Sequence, residues 1–223
     1  MDLSGFGQQL LIGATVTVEV ALGAALIGSV LGIAFALAKL LGGRVLRQVA
    51  QAYTTVVRGV PDLLVIFIVY FGGTVTLSWA TGTTIEIDSY TAGCMSLGVV
   101  FGAYATEIFR GAILAVPRGQ VLAADALGLT RAQTLANVVF PQAARLAWPP
   151  YGNQLIVLVK QTSLVSVVGL EEIMRKANIA AGATNTPFTF YLAAAVLYLV
   201  ITAMLSLVLL ALERRSARGF ARA

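Results

Sequence analysis

Seven polar residues lie in or beside apolar stretches of this chain, and their side chains could bind a ligand through charged hydrogen bonds. Asp62 follows Pro61 in the string RGVPDLL. A carboxylate at that position could accept a hydrogen bond from a guanidinium or an ammonium group. The later run KQTS offers an ammonium and two hydroxyls, which could bind a carboxylate or a carbonyl, so the two segments together would suit a zwitterion. The candidate substrate path consists of Arg58, Asp62, Glu107, Lys160, Gln161, Thr162 and Ser163.

Each of these charges also has a structural explanation. A charge at the centre of a membrane helix costs about 2.5 to 3.5 kcal/mol, so such residues pair with one another, line a polar path or lie near an interface. Glu107 lies three residues before Arg110, which predicts a local ion pair. Asp62 could likewise pair with Arg58, one helical turn earlier. For Glu19 and Glu107 we favour a structural role, and for Asp62 both roles stay open.

The composition indicates a membrane protein and excludes most catalytic chemistry. Of the 223 residues, 58% are hydrophobic and 11% are charged, and the mean hydropathy is +0.87, values typical of polytopic membrane proteins. The chain has no His and one Cys, Cys94, so His-based catalytic sets, His/Cys metal sites and internal disulfides are excluded. It also lacks the glycine-rich phosphate-binding motifs, so any nucleotide must bind to another chain. We therefore expect no catalytic residue, no metal and no bound cofactor.

Five apolar spans are predicted within a single transmembrane domain, residues 1–223. They cover residues 10–41, 60–80, 90–109, 152–170 and 188–212, and the first exceeds the ~20 residues that cross a bilayer. Pro61 predicts a break in the second span. The pairs Gly28/Gly32 and Gly98/Gly102 have the G-x-x-x-G spacing that is typical of close helix packing. The predicted fold class is an all-α polytopic membrane protein with five transmembrane helices.

The distribution of basic residues predicts the orientation of the chain. They cluster around the first link, around the third link and in the C-terminal tail, whereas the second link, TGTTIEID, has none. By the positive-inside rule the N-terminus is outside and the C-terminus is cytoplasmic. The net charge of +5 thus follows topology and does not indicate a nucleic-acid partner. The clustered residues are Lys39, Arg44, Arg47, Arg58, Arg110, Arg118, Arg131, Arg145, Arg214, Arg215, Arg218 and Arg222.

The third link, approximately residues 110–145, has mixed polarity and a motif-like spacing. Ala123-Ala124, Gly128, Val138 and Phe140-Pro141 resemble the cytoplasmic EAA signature of ABC importer membrane subunits, although Leu122 stands where that family usually has Glu. The resemblance implies a short coupling helix that seats in a groove of an ATPase subunit. Ala and Gly permit close approach to a partner, and Gly can adopt the positive φ of a sharp turn. The predicted coupling residues are Ala123, Ala124, Asp125, Gly128 and Pro141.

Three longer strings resemble polar amino-acid permeases of the type I ABC importers. They are YTTVVRGVPDLL, GAYATEIFRGAILAVPRGQ and KQTSLVSVVGLEEI, and they are most similar to Q-type subunits of histidine/lysine/arginine/ornithine and opine importers. The resemblance implies a MetI-like fold in the lipid of the bacterial inner membrane. It implies a basic amino acid as substrate, with glutamine, glutamate or opines as alternatives. The implied partners are an M-type permease or a second copy of this chain, two ATPase subunits that carry ATP and Mg, and a periplasmic binding protein.

Two other classes of function remain open from the sequence alone. An ion-coupled secondary transporter could use Glu19, Glu107 and Lys160 as a relay for protons or ions. A protonophore would then abolish uptake even when the ATP concentration is kept constant. A membrane scaffold without transport activity would be isolated without any ATPase subunit.

Overall fold

The computed structural model describes residues 5–84 and 86–216, and all regular secondary structure in these ranges is helical. Two short segments are π-helical, Ile68–Gly72 and Leu135–Val139. Arg218 and Arg222 of the predicted cytoplasmic tail lie outside the described residues. The α-helices are α1 Gly7–Leu41, α2 Arg44–Gly59, α3 Asp62–Phe67, α4 Gly73–Thr81, α5 Ser89–Leu114, α6 Arg118–Ala126, α7 Arg131–Thr134, α8 Phe140–Gln161, α9 Ile173–Thr184 and α10 Pro187–Ser216.

Four helical stretches in the described part of the chain are long and apolar enough to cross a membrane. They are Gly7–Leu41, Asp62–Thr81, Ser89–Leu114 and Pro187–Arg214, which correspond to the first, second, third and fifth predicted spans. In the most apolar stretch of α10 no residue is buried by the chain itself, so this stretch presents its apolar side chains outward.

The fourth predicted span, 152–170, differs in structure from the prediction. The α-helix there begins at Phe140, where Ala143 and Ala147 already pack inward, and it ends at Gln161. From Thr162 to Val168 the chain is a 3₁₀-helix, and the hydroxyls of Thr162 and Ser163 bond the carbonyls of Val159 and Lys160. Such local hydrogen bonds compete with regular helix geometry. The apolar run therefore does not coincide with the limits of one helix.

A seam of glycines joins α1 to α5 along their length. A Cβ atom on Gly28 would lie 2.7 Å from Phe101 Cδ1 and 2.8 Å from the carbonyl oxygen of Gly98. A Cβ atom on Gly102 would lie 2.9 Å from Leu31 Cβ. All three distances are shorter than real Cβ contacts, so only glycine permits this approach. The close packing predicted from the G-x-x-x-G pairs is confirmed.

The break predicted at Pro61 is confirmed. α2 ends at Gly59, Val60 is extended, and α3 begins at Asp62. The carbonyl oxygen of Pro61 accepts a hydrogen bond from the Leu64 amide at 2.9 Å, which starts the new helix. Asp62 is therefore the first residue of α3, where a carboxylate interacts favourably with the helix dipole.

Three buried clusters hold the helices together. The largest lies between α1, α3, α5 and the end of α8, with Phe101 and Leu97 at its centre. A second joins the start of α1 to α9 and α10 around Ile173 and Phe190. The third, which we call the stem, packs the end of α5 against the start of α8 through Ala112, Val116, Val139, Ala143 and Ala147.

Candidate functional site

A cavity of about 430 Å³, here called the polar cavity, lies between the polar face of α2 and α5. The guanidinium carbon of Arg58 lies 5.2 Å from the centroid of the Tyr104 ring, which is a cation–π arrangement. Of the predicted substrate-path residues, the cavity brings together Arg58 and Glu107. Its lining residues are Gln51, Thr54, Thr55, Arg58, Gly59, Tyr104, Glu107 and Arg110.

Glu107 is held at the wall of this cavity by two cations. Lys39 Nζ lies 2.5 Å from Glu107 Oε1, and Arg110 Nη2 lies 2.9 Å from Glu107 Oε2. The predicted Glu107–Arg110 ion pair is thus confirmed. Lys39, whose side chain is 4% exposed, also donates to Gln51 and Thr54. This Lys39–Glu107 network joins α1, α2 and α5 and uses both oxygens of the Glu107 carboxylate.

Sequence reasoning missed Lys39 as the partner of Glu107. In the sequence, Lys39 belongs only to the cluster of basic residues around the first link. The two residues are 68 positions apart, so no helical periodicity relates them. The one available signal was the cost of an unpaired carboxylate inside an apolar span, which requires some distant cation.

Asp62 is half-buried and contacts an amide instead of a cation. Gln161 Nε2 donates a hydrogen bond to Asp62 Oδ2 at 2.5 Å. Within the part of the chain that the structure describes, Asp62 forms no ion pair with Arg58, whose guanidinium lies over Tyr104. The carboxylate therefore stands at the helix break with a neutral partner from α8.

The KQTS run does not form one cluster, because successive helical residues point in different directions. Gln161 bonds Asp62, and Thr162 is buried and donates to the Val159 carbonyl at 2.8 Å. Lys160 and Ser163 instead line a second cavity of about 300 Å³ beside α9 and α10, here called the Lys160 cavity. The seven predicted substrate-path residues are thus divided among several surroundings.

A buried carboxylate that the sequence did not reveal lies next to the Lys160 cavity. Glu172 is 0% exposed and caps α9 by accepting from the Arg175 amide at 2.9 Å. Tyr198 Oη of α10, which lines that cavity, donates to Glu172 Oε2 at 2.5 Å. Burial raises the pKa of the Glu172 carboxyl, and the hydrogen bond from Tyr198 opposes that rise. In the sequence, Glu172 and Tyr198 are 26 positions apart, so no local pattern relates them.

The third link folds into a helical hairpin formed by α6, a short turn and α7, here called the α6–α7 hairpin. The turn is a Schellman motif, since the Leu129 amide bonds the Ala124 carbonyl at 3.1 Å and the Gly128 amide bonds the Asp125 carbonyl at 3.0 Å. Gly128 has φ +78°, the positive value that the prediction required. A capping box between Thr130 and Gln133 then starts α7.

The predicted coupling residues occupy both sides of this hairpin. Ala123, Asp125 and Gly128 are exposed on α6 and its turn, and Pro141 is exposed near the start of α8. Ala124 is 3% exposed, so its methyl group packs inside the chain and is not available for close approach to a partner. Gln142 donates to Gln120 at 2.5 Å and fixes α6 against α8.

The sequence matches the family described as binding-protein-dependent transport system inner membrane component over residues 28–218. The chain belongs to this family. A histidine/lysine/arginine/ornithine transport system permease protein, HisQ of Salmonella typhimurium, is 41% identical over 225 residues, which covers 99% of each chain. A nopaline transport system permease protein, NocQ of Agrobacterium fabrum, is 45% identical over 222 residues, covering 97% of this chain and 94% of its own.

A solved structure described as an amino acid ABC transporter with histidines superimposes on this permease with a TM-score of 0.84. The two chains are 34% identical, and the match covers 93% of this chain and 94% of the other. The all-helical type I ABC permease fold is thereby confirmed, as is the family resemblance inferred from the motif spacing. As a member of the family, this permease is a transport component of the inner membrane and not a catalytic subunit.

Proposed function

We propose that this permease imports cationic amino acids, such as histidine, lysine, arginine or ornithine, or related opines. The observation that carries the proposal is its similarity along nearly the whole chain to permeases named for those substrates. A periplasmic binding protein would deliver the substrate, and ATP hydrolysis on two separate ATPase subunits would drive uptake. The second permease would be an M-type subunit or another copy of this chain.

Asp62 supports the cationic assignment. Its carboxylate stands at a helix break, where freed backbone groups are tolerated if they face a cavity. Its hydrogen-bond partner, Gln161, is neutral and leaves the negative charge for a cation to balance. A substrate guanidinium or ammonium would form a charge-assisted hydrogen bond there. Glu107 is a weaker candidate, because Lys39 and Arg110 already bind both of its oxygens.

The α-carboxylate of the substrate requires a cationic group, and two cavities offer one. Arg58 lines the polar cavity, and Lys160 with Ser163 lines the Lys160 cavity. We favour Lys160, because the Arg58 guanidinium already contacts Tyr104. Thr162 would then support the 3₁₀ turn from inside, since its hydroxyl is bonded to the Val159 carbonyl.

Transport by Asp62→Asn in the complete transporter tests this proposal. In proteoliposomes with saturating binding protein, the loss of one charged hydrogen bond should weaken apparent arginine affinity at least roughly tenfold. Gln161→Glu is a matched variant that adds a carboxylate to the same contact. Unchanged arginine transport by Asp62→Asn, with normal coupling to ATP, would remove Asp62 from the substrate path. Failure of the wild type to transport any basic amino acid would contradict the proposed substrate itself.

For the topology we propose one transmembrane domain with five spans, in which α8 is the fourth, the N-terminus is outside and the C-terminus is cytoplasmic. The support is the clustering of basic residues and their absence from the second link. A Cys introduced at Thr83, in a Cys94→Ala background, should react with an impermeant thiol reagent only from the periplasmic side. Reaction from the cytoplasmic side alone would overturn the orientation.

A further inference from the structure

Glu172 is a carboxylate that the chain buries next to neutral groups. It is fully buried at the start of α9, and among the described residues it forms no ion pair. Its hydrogen bonds come from the Arg175 amide at 2.9 Å and the Tyr198 hydroxyl at 2.5 Å. Because burial raises the pKa of the Glu172 carboxyl, this group can bind a proton at pH values at which exposed carboxyls stay charged.

Two hydroxyl groups lie between Glu172 and the KQTS run. The one proton of Tyr198 Oη is donated to Glu172. The one proton of Thr162 Oγ1 is donated to the Val159 carbonyl at 2.8 Å. The two hydroxyl oxygens lie 3.5 Å apart, which exceeds the about 2.5 to 3.0 Å of an ordinary O–H···O bond. This contact therefore has no proton of its own.

A proton on Glu172 would supply the missing hydrogen bond. The neutral carboxyl would donate its own O–H to Tyr198 Oη, and the Tyr198 O–H would turn towards Thr162 Oγ1. The Thr162 proton would stay on the Val159 carbonyl, so each hydrogen bond would have one donor and one acceptor. The change takes up one proton from the medium and releases it again when Glu172 ionises.

The elements that pack against the start of α9 offer Glu172 no competing partner among the described residues. Its charged and titratable neighbours, apart from Tyr198, are each exposed or bonded elsewhere. These neighbours are Glu19 of α1, Lys160 of α8, Glu171 before α9, Arg175 and Lys176 of α9, and Tyr191 of α10.

We propose that Glu172 is a proton-responsive positioning residue, which in its protonated form makes Tyr198 of α10 bond Thr162 and so fixes the start of the 3₁₀ segment. The KQTS run at that point includes Lys160 and Ser163, which line the Lys160 cavity. Fixing these residues beforehand reduces the ordering cost of binding a ligand there. In its effect on transport the inference rests on the proposed function, in which this cavity receives the substrate carboxylate.

The test is arginine uptake by the complete transporter in proteoliposomes, with the internal pH held constant and the external pH varied. In the proposed topology α9 lies on the periplasmic side, so the external pH acts on Glu172. From mildly alkaline to mildly acidic pH, the apparent KM for the arginine-loaded binding protein should fall about threefold or more. The maximal rate should change by less than about twofold, whereas a purely structural role would lower that rate.

Three variants separate the steps of this mechanism. Glu172→Gln can still accept from the Arg175 amide and resembles the neutral carboxyl, so its KM should stay low at every pH. Tyr198→Phe keeps the ring but removes the hydroxyl, so its KM should stay high at every pH. Glu171→Gln changes the exposed neighbouring carboxylate and should keep the wild-type pH dependence.

Infrared difference spectra provide a measurement that does not depend on transport. Between alkaline and acidic pH, the purified transporter should gain a protonated-carboxyl band that Glu172→Gln lacks and Glu171→Gln retains. Absence of this band, or the same pH dependence of KM in the wild type, Glu172→Gln and Tyr198→Phe, would overturn the proposal. A wild type that shows the band but transports no basic amino acid would contradict the proposed function and not the protonation of Glu172.

Discussion

The two short connecting helices, α6 and α9, differ in how much of their surface the rest of the chain buries. In α9, Ile173, Ala177 and Ala180 are fully buried against α1 and α10. In α6, Ala124 is the only residue that the structure buries among the nine described for that helix. Helix α9 is therefore stabilised by contacts within its own chain, whereas most of α6 stays exposed.

The turns beside these helices also differ in how closely other residues surround them. Both contain a glycine with positive φ, Gly128 after α6 and Gly169 before α9. A Cβ atom on Gly169 would lie 3.5 Å from the hydroxyl of Ser89, which itself donates to the Val168 carbonyl. A Cβ atom on Gly128 would meet nothing within 4 Å. Gly128 is therefore required by backbone conformation alone, and its surroundings are open to a partner.

The largest expected effect would come from removing the carboxylate that holds α9. Glu172→Ala deletes the helix cap and leaves the buried hydroxyl of Tyr198 without its acceptor. We expect the free energy of unfolding to fall by roughly 2 to 4 kcal/mol. Thermal denaturation of the purified transporter measures this loss.

Glu171→Ala is the matched control for that variant. The neighbouring carboxylate is exposed, and its partner is Lys176, whose hydrogen bond lowers the pKa of Glu171. Because exposed ion pairs contribute little, its removal should change stability by less than about 1 kcal/mol. Equal destabilisation by the two variants would show that Glu172 is not the residue that fixes α9.

A smaller effect on stability but a large effect on coupling is expected at Gly128. Gly128→Asp places a side chain at φ +78°, which costs about 1 to 2 kcal/mol, and adds a charge at the exposed turn. We expect normal membrane insertion but at least a roughly tenfold loss of uptake and of substrate-stimulated ATP hydrolysis. Uptake and ATPase assays on the reconstituted transporter measure both.

Gly128→Asn is the milder companion of that variant, since Asn tolerates positive φ and the chain itself places Asn185 at φ +55°. It should retain more coupling than Gly128→Asp. Normal coupling in Gly128→Asp would contradict the role of the α6–α7 hairpin, and loss of the protein from the membrane would show that the turn is needed for folding.

Local rules predicted the local features of this fold. Pro61 ends α2, the Glu107–Arg110 spacing gives an ion pair, and Gly128 ends α6, because each depends on residues within one helical turn. The apolar runs marked all four helices that are apolar and long enough to cross a membrane within the described residues, because hydropathy depends on composition alone.

Long-range contacts could not be predicted in this way. Lys39 meets Glu107, and Glu172 meets Tyr198, only after helices distant in sequence have packed together. The division of the KQTS run among several surroundings depends on where α8 changes to a 3₁₀-helix. The burial of Ala124 likewise depends on how α6 rests against the stem, which its spacing in the motif does not determine.

The glycine seam between α1 and α5 restricts how this permease can change shape. The backbones of the two helices approach each other closely at Gly28, Gly98 and Gly102. If one helix slid past the other, the side chains of Ile27, Leu31 or Phe101 would clash with main-chain atoms. The pair should consequently move as one rigid body between the conformations of a transport cycle. We expect hinge rotation at interruptions outside the seam, such as the break at Pro61 and the left-handed residues Gly169 and Asn185 on either side of α9.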